Sequence, residues 1–386
     1  MKSYNFLIFI SVALTIYGSI NFYIFMRGWQ AIPRDNIFRT LYVIVFLFLS
    51  LSYVAGRIVE RSSMPDCSGV FIWSGSFWLG LMIYLFFSIL LIDLARAFNH
   101  FIGFFPAAVT DNYEKSKLIC AGIVTGVSII IVIAGYVNAC IPKLNKIEIT
   151  IQKSVPDLKS LRIALATDIH LGTIISNSRL ERLVDTINSL KPDLILLAGD
   201  IVDEDLAPVI KNNLGETLRK FESKYGVFAV TGNHEYIGGS GKAVKYLSEH
   251  NITMLRDRAV KIGDDFYIAG RDDRSSAQFN GHKRESLDKI LEGIDRSLPV
   301  ILMDHQPFAL NEAIDAGVDL QLSGHTHHGQ LWPFNYITSL IFELSMGYKL
   351  KGKTHFYVSS GFGTWGPPVR TTSRPEIADI TVRFKK

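Results

Sequence analysis

The chain has 386 residues, 48% of them hydrophobic and 25 of them Phe, and its mean hydropathy of +0.22 excludes a protein that is soluble throughout. Its 40 basic and 36 acidic residues leave a formal charge of +4, too mild to select a polyanion, so no nucleic-acid partner is expected. The three cysteines, Cys67, Cys120 and Cys140, all precede residue 150. The rest of the chain therefore has neither a disulfide framework nor thiolate metal ligands.

Four apolar stretches are long enough to cross a hydrocarbon core, which takes about 20 helical residues: Phe6 to Met26, Ile37 to Gly56, Val70 to Ile92 and Leu118 to Cys140. The first exceeds the apolar run of a signal peptide, roughly 7 to 15 residues, and no small-x-small cleavage site follows it. All four are read as transmembrane helices of a multi-pass protein in the cell membrane, with the lipid bilayer as partner. An even number of spans puts both termini on one side. Lys2, Arg57, Arg61, Lys143, Lys146 and Lys153 flank the membrane there, against Arg27, Arg34, Arg39, Arg96, Lys115 and Lys117 opposite, so the positive-inside rule gives a tie. Gly122 and Gly126 form a GxxxG, which either admits a neighbouring helix or arises by chance. Asp93 with Arg96 reads as an interfacial ion pair, with a functional intramembrane carboxylate as the alternative.

The expected division is a membrane domain over residues 1–145 and an α/β domain over 146–386. After Lys143 short apolar runs alternate with amphipathic segments. Strands are expected at Leu161–Thr167, Leu194–Ala198, Val227–Val230, Phe266–Ala269, Val300–Met303, Leu320–Ser323, Phe356–Ser359 and Ile377–Phe384. Helices are expected at Ser178–Leu190, Leu206–Phe221, Gly241–His250, Lys283–Gly293 and Phe308–Ala316.

Five polar clusters follow these strands: Asp168-Ile-His170, Gly199-Asp200, Gly232-Asn-His-Glu235, Asp304-His305 and Gly324-His-Thr-His327. Strand carboxyl ends converge in α/β folds, so one site is implied. Hydrolysing a phosphoester needs an activated water and neutralisation of phosphoryl charge, which two metal ions about 3.5 to 4 Å apart supply. Imidazole, carboxylate and amide donors suit Zn, Fe or Mn rather than Ca. Glycines ahead of Asp200, Asn233 and His325 permit tight turns.

The order D-x-H, G-D, G-N-H-E, H, G-H-x-H, spanning residues 160 to 330 or more, resembles that of the calcineurin-like metallophosphoesterases. The resemblance implies two packed mixed β-sheets flanked by helices, and a dinuclear metal-dependent phosphoric ester hydrolase. It implies that Asp168, His170, Asp200 and His327 bind one divalent ion and Asp200, Asn233, His305 and His325 the other, with Asp200 bridging. A hydroxide held between them would attack phosphorus in line, and His234 would stabilise the transition state or protonate the leaving oxygen. His282 competes with His305 for the middle histidine; His305 is preferred because it directly follows an apolar strand.

His328 extends the usual ending and is read as a surface residue, a donor to a ligand or a substrate contact. Arg370, after Gly361-Phe-Gly363, is read either as a bidentate donor to a substrate phosphate or as a surface arginine. The segment Leu331–Leu350 is very apolar for one leaving an active site: it is either an amphipathic helix packed on the core or a segment that dips into the bilayer interface and admits a lipid-linked phosphomonoester, phosphodiester or pyrophosphate. The competing function is a membrane sensor or assembly subunit that binds a phosphorylated ligand without turnover.

Overall fold

The computed structural model describes residues 3–34, 37–60, 67–156 and 158–385. The chain divides into two compact units, Met1–Val137 with Gly366–Val369, and Asn138–Trp365 with Arg370–Lys386.

In the first unit the helices Ile37–Glu60, Ser68–Ile102 and Tyr113–Cys140 are long and apolar enough to cross a membrane. The segment expected as the first span lies in a further helix, Ser3–Ala31, several of whose first side chains fall outside the described residues. Ser68–Ile102 has 35 residues, about 52 Å at 1.5 Å per residue. It is longer than the hydrocarbon core of about 30 Å, and Asp93 to Ile102 are its last residues. There Asp93 pairs with Arg96 at 3.0 Å, as expected, and also with Arg27 of the first helix at 2.8 Å. Ile24, Phe46, Trp78, Met82 and Leu85 form the core, and the buried Asn21 is satisfied by the Trp78 indole at 2.9 Å. The close backbone approach falls at Gly56 and Gly75, where a Cβ would meet Ile72 and Tyr53. A Cβ on Gly122 or Gly126 meets nothing within 4 Å among the described residues.

The second unit holds two six-stranded sheets. Strands are β1 (Lys143–Ser154), β2 (Ser160–Ala166), β3 (Leu194–Ala198), β4 (Val227–Val230), β5 (Ile252–Met254), β6 (Arg258–Ile262), β7 (Phe266–Gly270), β8 (Val300–Met303), β9 (Leu320–Ser323), β10 (Gly347–Lys351), β11 (Thr354–Val358) and β12 (Glu376–Lys385). The sheet orders are β1-β12-β2-β3-β4-β5 and β10-β11-β9-β8-β7-β6. Strands β2 to β5 run parallel, as do β7, β8, β9 and β11, while β12 is antiparallel to β2 and β6 and β10 are antiparallel edges.

Strand alternation builds three layers. Ile163, Leu165, Leu194 and Leu196 face Ile268, Ile301, Met303 and Leu322 between the sheets. Ala164, Ala166, Ile195 and Leu197 turn the other way, onto Leu180, Leu183 and Ile187 of the helix Asn177–Ser189. Ala269, Val300 and Leu302 face a third cluster. Burial on both faces explains why these runs read as continuously apolar.

All eight expected strands form, within two residues at their ends. Strands β1, β5, β6 and β10 were not expected, and β1 places the start of this fold at Lys143. Three expected helices shorten: Leu206–Phe221 becomes Ala207–Lys211 and Leu214–Leu218, broken at Asn213 with φ +50°, Lys283–Gly293 keeps only Leu287–Ile290, and Phe308–Ala316 keeps only Asn311–Asp315.

Candidate metal centre

The polar clusters occupy the loops at the carboxyl ends of β2, β3, β4, β8 and β9. These loops turn sharply: Asp168, His170, Asp200, His325 and His327 all have φ between +44° and +71°, a region that costs a non-glycine residue of order 1–3 kcal/mol. The strain is held by close packing. A Cβ on Gly199, Gly232 or Gly324 would run into the His305 ring, the Asp200 carboxylate or the Asp168 carboxylate respectively, so only glycine lets these loops meet.

Two ligand groups result, with a third cluster that shares a residue with the first: Asp168, His170 and His327 form one, Asp200, His305 and His325 the other, and His170 also converges with Asp203 and His234. In the first, Nε2 of His170 and Nε2 of His327 are 3.1 Å apart, and His327 Nε2 is 3.5 Å from Asp168 Oδ1. In the second, His305 Nε2 is 3.1 Å from Asp200 Oδ2, and His325 Nδ1 is 2.8 Å from Asn233 Oδ1. His282, the alternative to His305, is exposed on a loop outside both groups.

The donor set fits metal ions. His305 Nδ1 lies 2.8 Å from the carbonyl of Ala198, which fixes its proton there and leaves the Nε2 lone pair facing Asp200. That Nε2 is fully buried and has no hydrogen-bond partner. A lone pair against a carboxylate calls for a cation between them; with no metal ion a proton takes that place, and although burial would lower His305, Asp200 holds it well above its ordinary value. The two converging Nε2 atoms of His170 and His327 pose the same demand.

Charge is distributed to match. Burial alone would raise the Asp200 carboxyl, but His305, His234 and His170 hold it well below the usual carboxylate range. Burial, with the neighbouring His305, lowers His325 to about 4. Burial and the Arg370 guanidinium hold His327 well below its ordinary value. Both shifts favour the neutral imidazole that a metal ligand requires.

Residues that hold the ligands were not read from the sequence. Buried Glu235 accepts from the backbone N–H of Asp200 (3.1 Å), Gly232 (2.7 Å) and Val202 (2.8 Å), clamping two ligand loops. Asp203 lies 3.1 Å from His234 Nδ1 and 3.6 Å from His170 Nδ1. The spacing Gly-Asp200-Ile-Val-Asp203 was the only local sign of it. His234 stands beside both groups: its N–H donates to Asp200 Oδ1 at 2.9 Å, and its ring centroid is 4.5 Å from that of His170. Burial would lower its pKa, yet Asp200 and Asp203 push it up to about 9.

Both sequence readings of Arg370 need correction. It is fully buried, so it is no surface residue. Nε donates to Gly363 O at 3.0 Å, Nη1 to Ser360 O at 2.6 Å and to Ser373 Oγ at 3.2 Å, Nη2 donates to Gly363 O at 2.5 Å, and Nη2 lies 2.8 Å from His327 Nδ1. With five N–H groups so directed, none remains for a substrate phosphate. His328 joins neither ligand group. It is a half-buried turn residue with φ +48°, its Nδ1 3.1 Å from Ser345 Oγ.

The apolar segment borders the centre. The helix Phe334–Ile341 buries none of its side chains, against the packed-helix reading, and Leu340 is 88% exposed. Just after it, Phe342 brings its ring to 5.9 Å from His325. The exposed Trp365 ring lies 6.1 Å from His234. The last turn of Tyr113–Cys140 is tied to the same region, where Asn138 Nδ2 donates to the carbonyls of Arg370 (2.9 Å) and Ser373 (3.0 Å).

Comparison with known proteins agrees with this geometry. Residues 161–329 match the Calcineurin-like phosphoesterase family. The chain is 30% identical over 99% of its length to an uncharacterized metallophosphoesterase of Campylobacter jejuni, covering all of that protein. It is also 30% identical over 98% of its length to a transmembrane protein with metallophosphoesterase domain of Danio rerio, covering 89% of it. A metallophosphoesterase of Aquifex aeolicus is 35% identical over 60% of this chain and 89% of its own.

Proposed function

This chain belongs to the calcineurin-like metallophosphoesterases, and we propose that it is a multi-pass cell-membrane enzyme hydrolysing a lipid-linked phosphoester with two divalent metal ions. The observation that carries the reading is the pair of adjacent ligand groups, with the bare His305 Nε2 aimed at Asp200. Asp168, His170, Asp200 and His327 would hold one ion and Asp200, Asn233, His305 and His325 the other. The nitrogen and oxygen donors suit Mn, Zn or Fe. When bound, such a pair supplies an activated water and neutralises phosphoryl charge.

The chain's own residues do the rest. Burial would lower the His234 pKa, but Asp200 and Asp203 push it up and so favour its cationic form. Asp203 lies against Nδ1, so Nε2 is the nitrogen left to pass a proton to the leaving oxygen. Glu235 and Arg370 keep ligands in place from outside.

Two features support a lipid-linked substrate. The loop carrying Arg370 accepts a hydrogen bond from Asn138, a residue in the last turn of an apolar helix. Trp332, Tyr336, Ile337, Leu340, Ile341 and Trp365 are each at least half exposed, as suits groups that rest in a bilayer interface.

The test is turnover by the purified full chain, with Mn, Zn or Fe, of lipid-linked phosphomonoesters, phosphodiesters and pyrophosphates beside small soluble esters. Metal-dependent turnover that favours one lipid class and is lost in Asp200→Asn supports the proposal. Equal turnover of a soluble diester and every lipid refutes the lipid assignment. If Asp200→Asn and His234→Ala leave the cellular phenotype intact, the protein is instead a non-catalytic sensor or assembly subunit.

A further inference from the structure

The membrane-spanning unit contains a binding cavity that the phosphoesterase reaction does not use. Near its Cys140 end the helix Tyr113–Cys140 packs closely, with Tyr136 edge-on to Phe77 at 5.2 Å between ring centroids. Toward Tyr113 it stands away from its neighbours and leaves a cavity of about 1700 Å³. That is larger than the roughly 300–1,000 Å³ of small-molecule sites. Its body is apolar, with Phe46, Leu49, Trp78 and Leu85 on one side and Val124 and Ile129 on the other.

Its rim is cationic. Asp93 accepts ion pairs from Arg27 and Arg96 and a hydrogen bond from Tyr23, and Arg96 also donates to the Tyr113 hydroxyl at 2.6 Å. Lys117 is neutralised by Glu114 at 2.9 Å. Arg39 donates to the carbonyl of Ile32 at 2.9 and 3.1 Å and lies over the Trp29 ring at 4.6 Å. Among the described residues no carboxylate lies within 4.0 Å of Arg39. Among the described residues Arg27, Arg39 and Arg96 thus face the one carboxylate of Asp93, leaving two positive charges beside a hydrocarbon-lined space that the exposed Arg34 also lines.

A wholly apolar ligand would leave those charges unanswered, and a small anion would leave the body empty. We propose that this cavity binds an anionic two-chain glycerophospholipid, its acyl chains between the helices and its phosphate at Arg27, Arg39 and Arg96. Two unneutralised charges at a membrane interface correspond to about a 30-fold preference for an anionic over a zwitterionic headgroup.

The experiment is native mass spectrometry of the full chain in detergent, titrated with dioleoyl-phosphatidylglycerol or dioleoyl-phosphatidylcholine. One phosphatidylglycerol is expected to bind about 30-fold more tightly than phosphatidylcholine. Arg39→Gln is expected to reduce the preference to about 5-fold, and Thr125→Trp, which fills the cavity, to weaken both lipids. Gel filtration checks that each variant remains folded. Equal binding of the two lipids by the parent chain, or parent-like binding by both variants, overturns the proposal by showing only the lipid that surrounds any membrane protein.

Discussion

Replacing Arg370 by Lys separates three roles for this residue. Lysine keeps the positive charge but offers three donors on a single atom in place of a planar fork of five. From one position it cannot serve Gly363 O, Ser360 O, Ser373 Oγ and His327 Nδ1 together. Two of the buried acceptors lose their partner, at about 1–3 kcal/mol each, or about 2–6 kcal/mol in all. In a domain of this size that lowers Tm by at least about 4 °C. His327 loses its support at the same time, and removing such an outer partner typically lowers metal affinity about 10- to 100-fold. The assay is thermal unfolding of the full chain in detergent, followed by intrinsic fluorescence, with bound metal measured after equilibration against graded chelator. A Tm within about 1 °C of the parent with unchanged metal affinity would refute the positioning role. A raised KM alone would return Arg370 to substrate binding.

Three further outcomes follow from the centre. His234→Ala is expected to keep both metals and lose about 10²- to 10⁴-fold in rate, checked by single-turnover kinetics beside metal analysis. In the parent, His234 is protonated below its pKa and loses its proton above it, so kcat falls as pH rises. Bound cations repel the imidazolium, so this limb should lie between the ordinary 6.5 and the metal-free value of about 9, and a pH profile that keeps the limb in His234→Ala refutes the assignment. Glu235→Ala strips the partner from three backbone N–H groups and should cost at least about 3 kcal/mol of stability, read by denaturant unfolding of the full chain. Leu340→Asp, at an 88% exposed position, should lower turnover of a bilayer-borne substrate while leaving a soluble ester unchanged; equal loss on both would show a folding defect instead.

By itself the sequence determined the family and the candidate ligand residues. Apolar runs report membrane helices because a helix in lipid must satisfy its own backbone. Parallel strands buried on both faces read as short apolar runs, so the carboxyl ends that carry Asp168, Asp200, Asn233, His305 and His325 were legible, and glycine marked where the loops meet. Only the tertiary structure decided what surrounds them. Arg370 touches His327 across 43 positions, Glu235 reaches Asp200 across 35, and Asn138 reaches Arg370 across 232; periodicity carries no information about such pairs. The edges β1, β5, β6 and β10 were missed for a related reason, since partly exposed edge strands owe their conformation to a neighbour: β1 forms by pairing with β12 at the far end of the chain. The cationic cavity between the membrane helices likewise depends on how far helices stand apart, a distance that hydropathy does not encode.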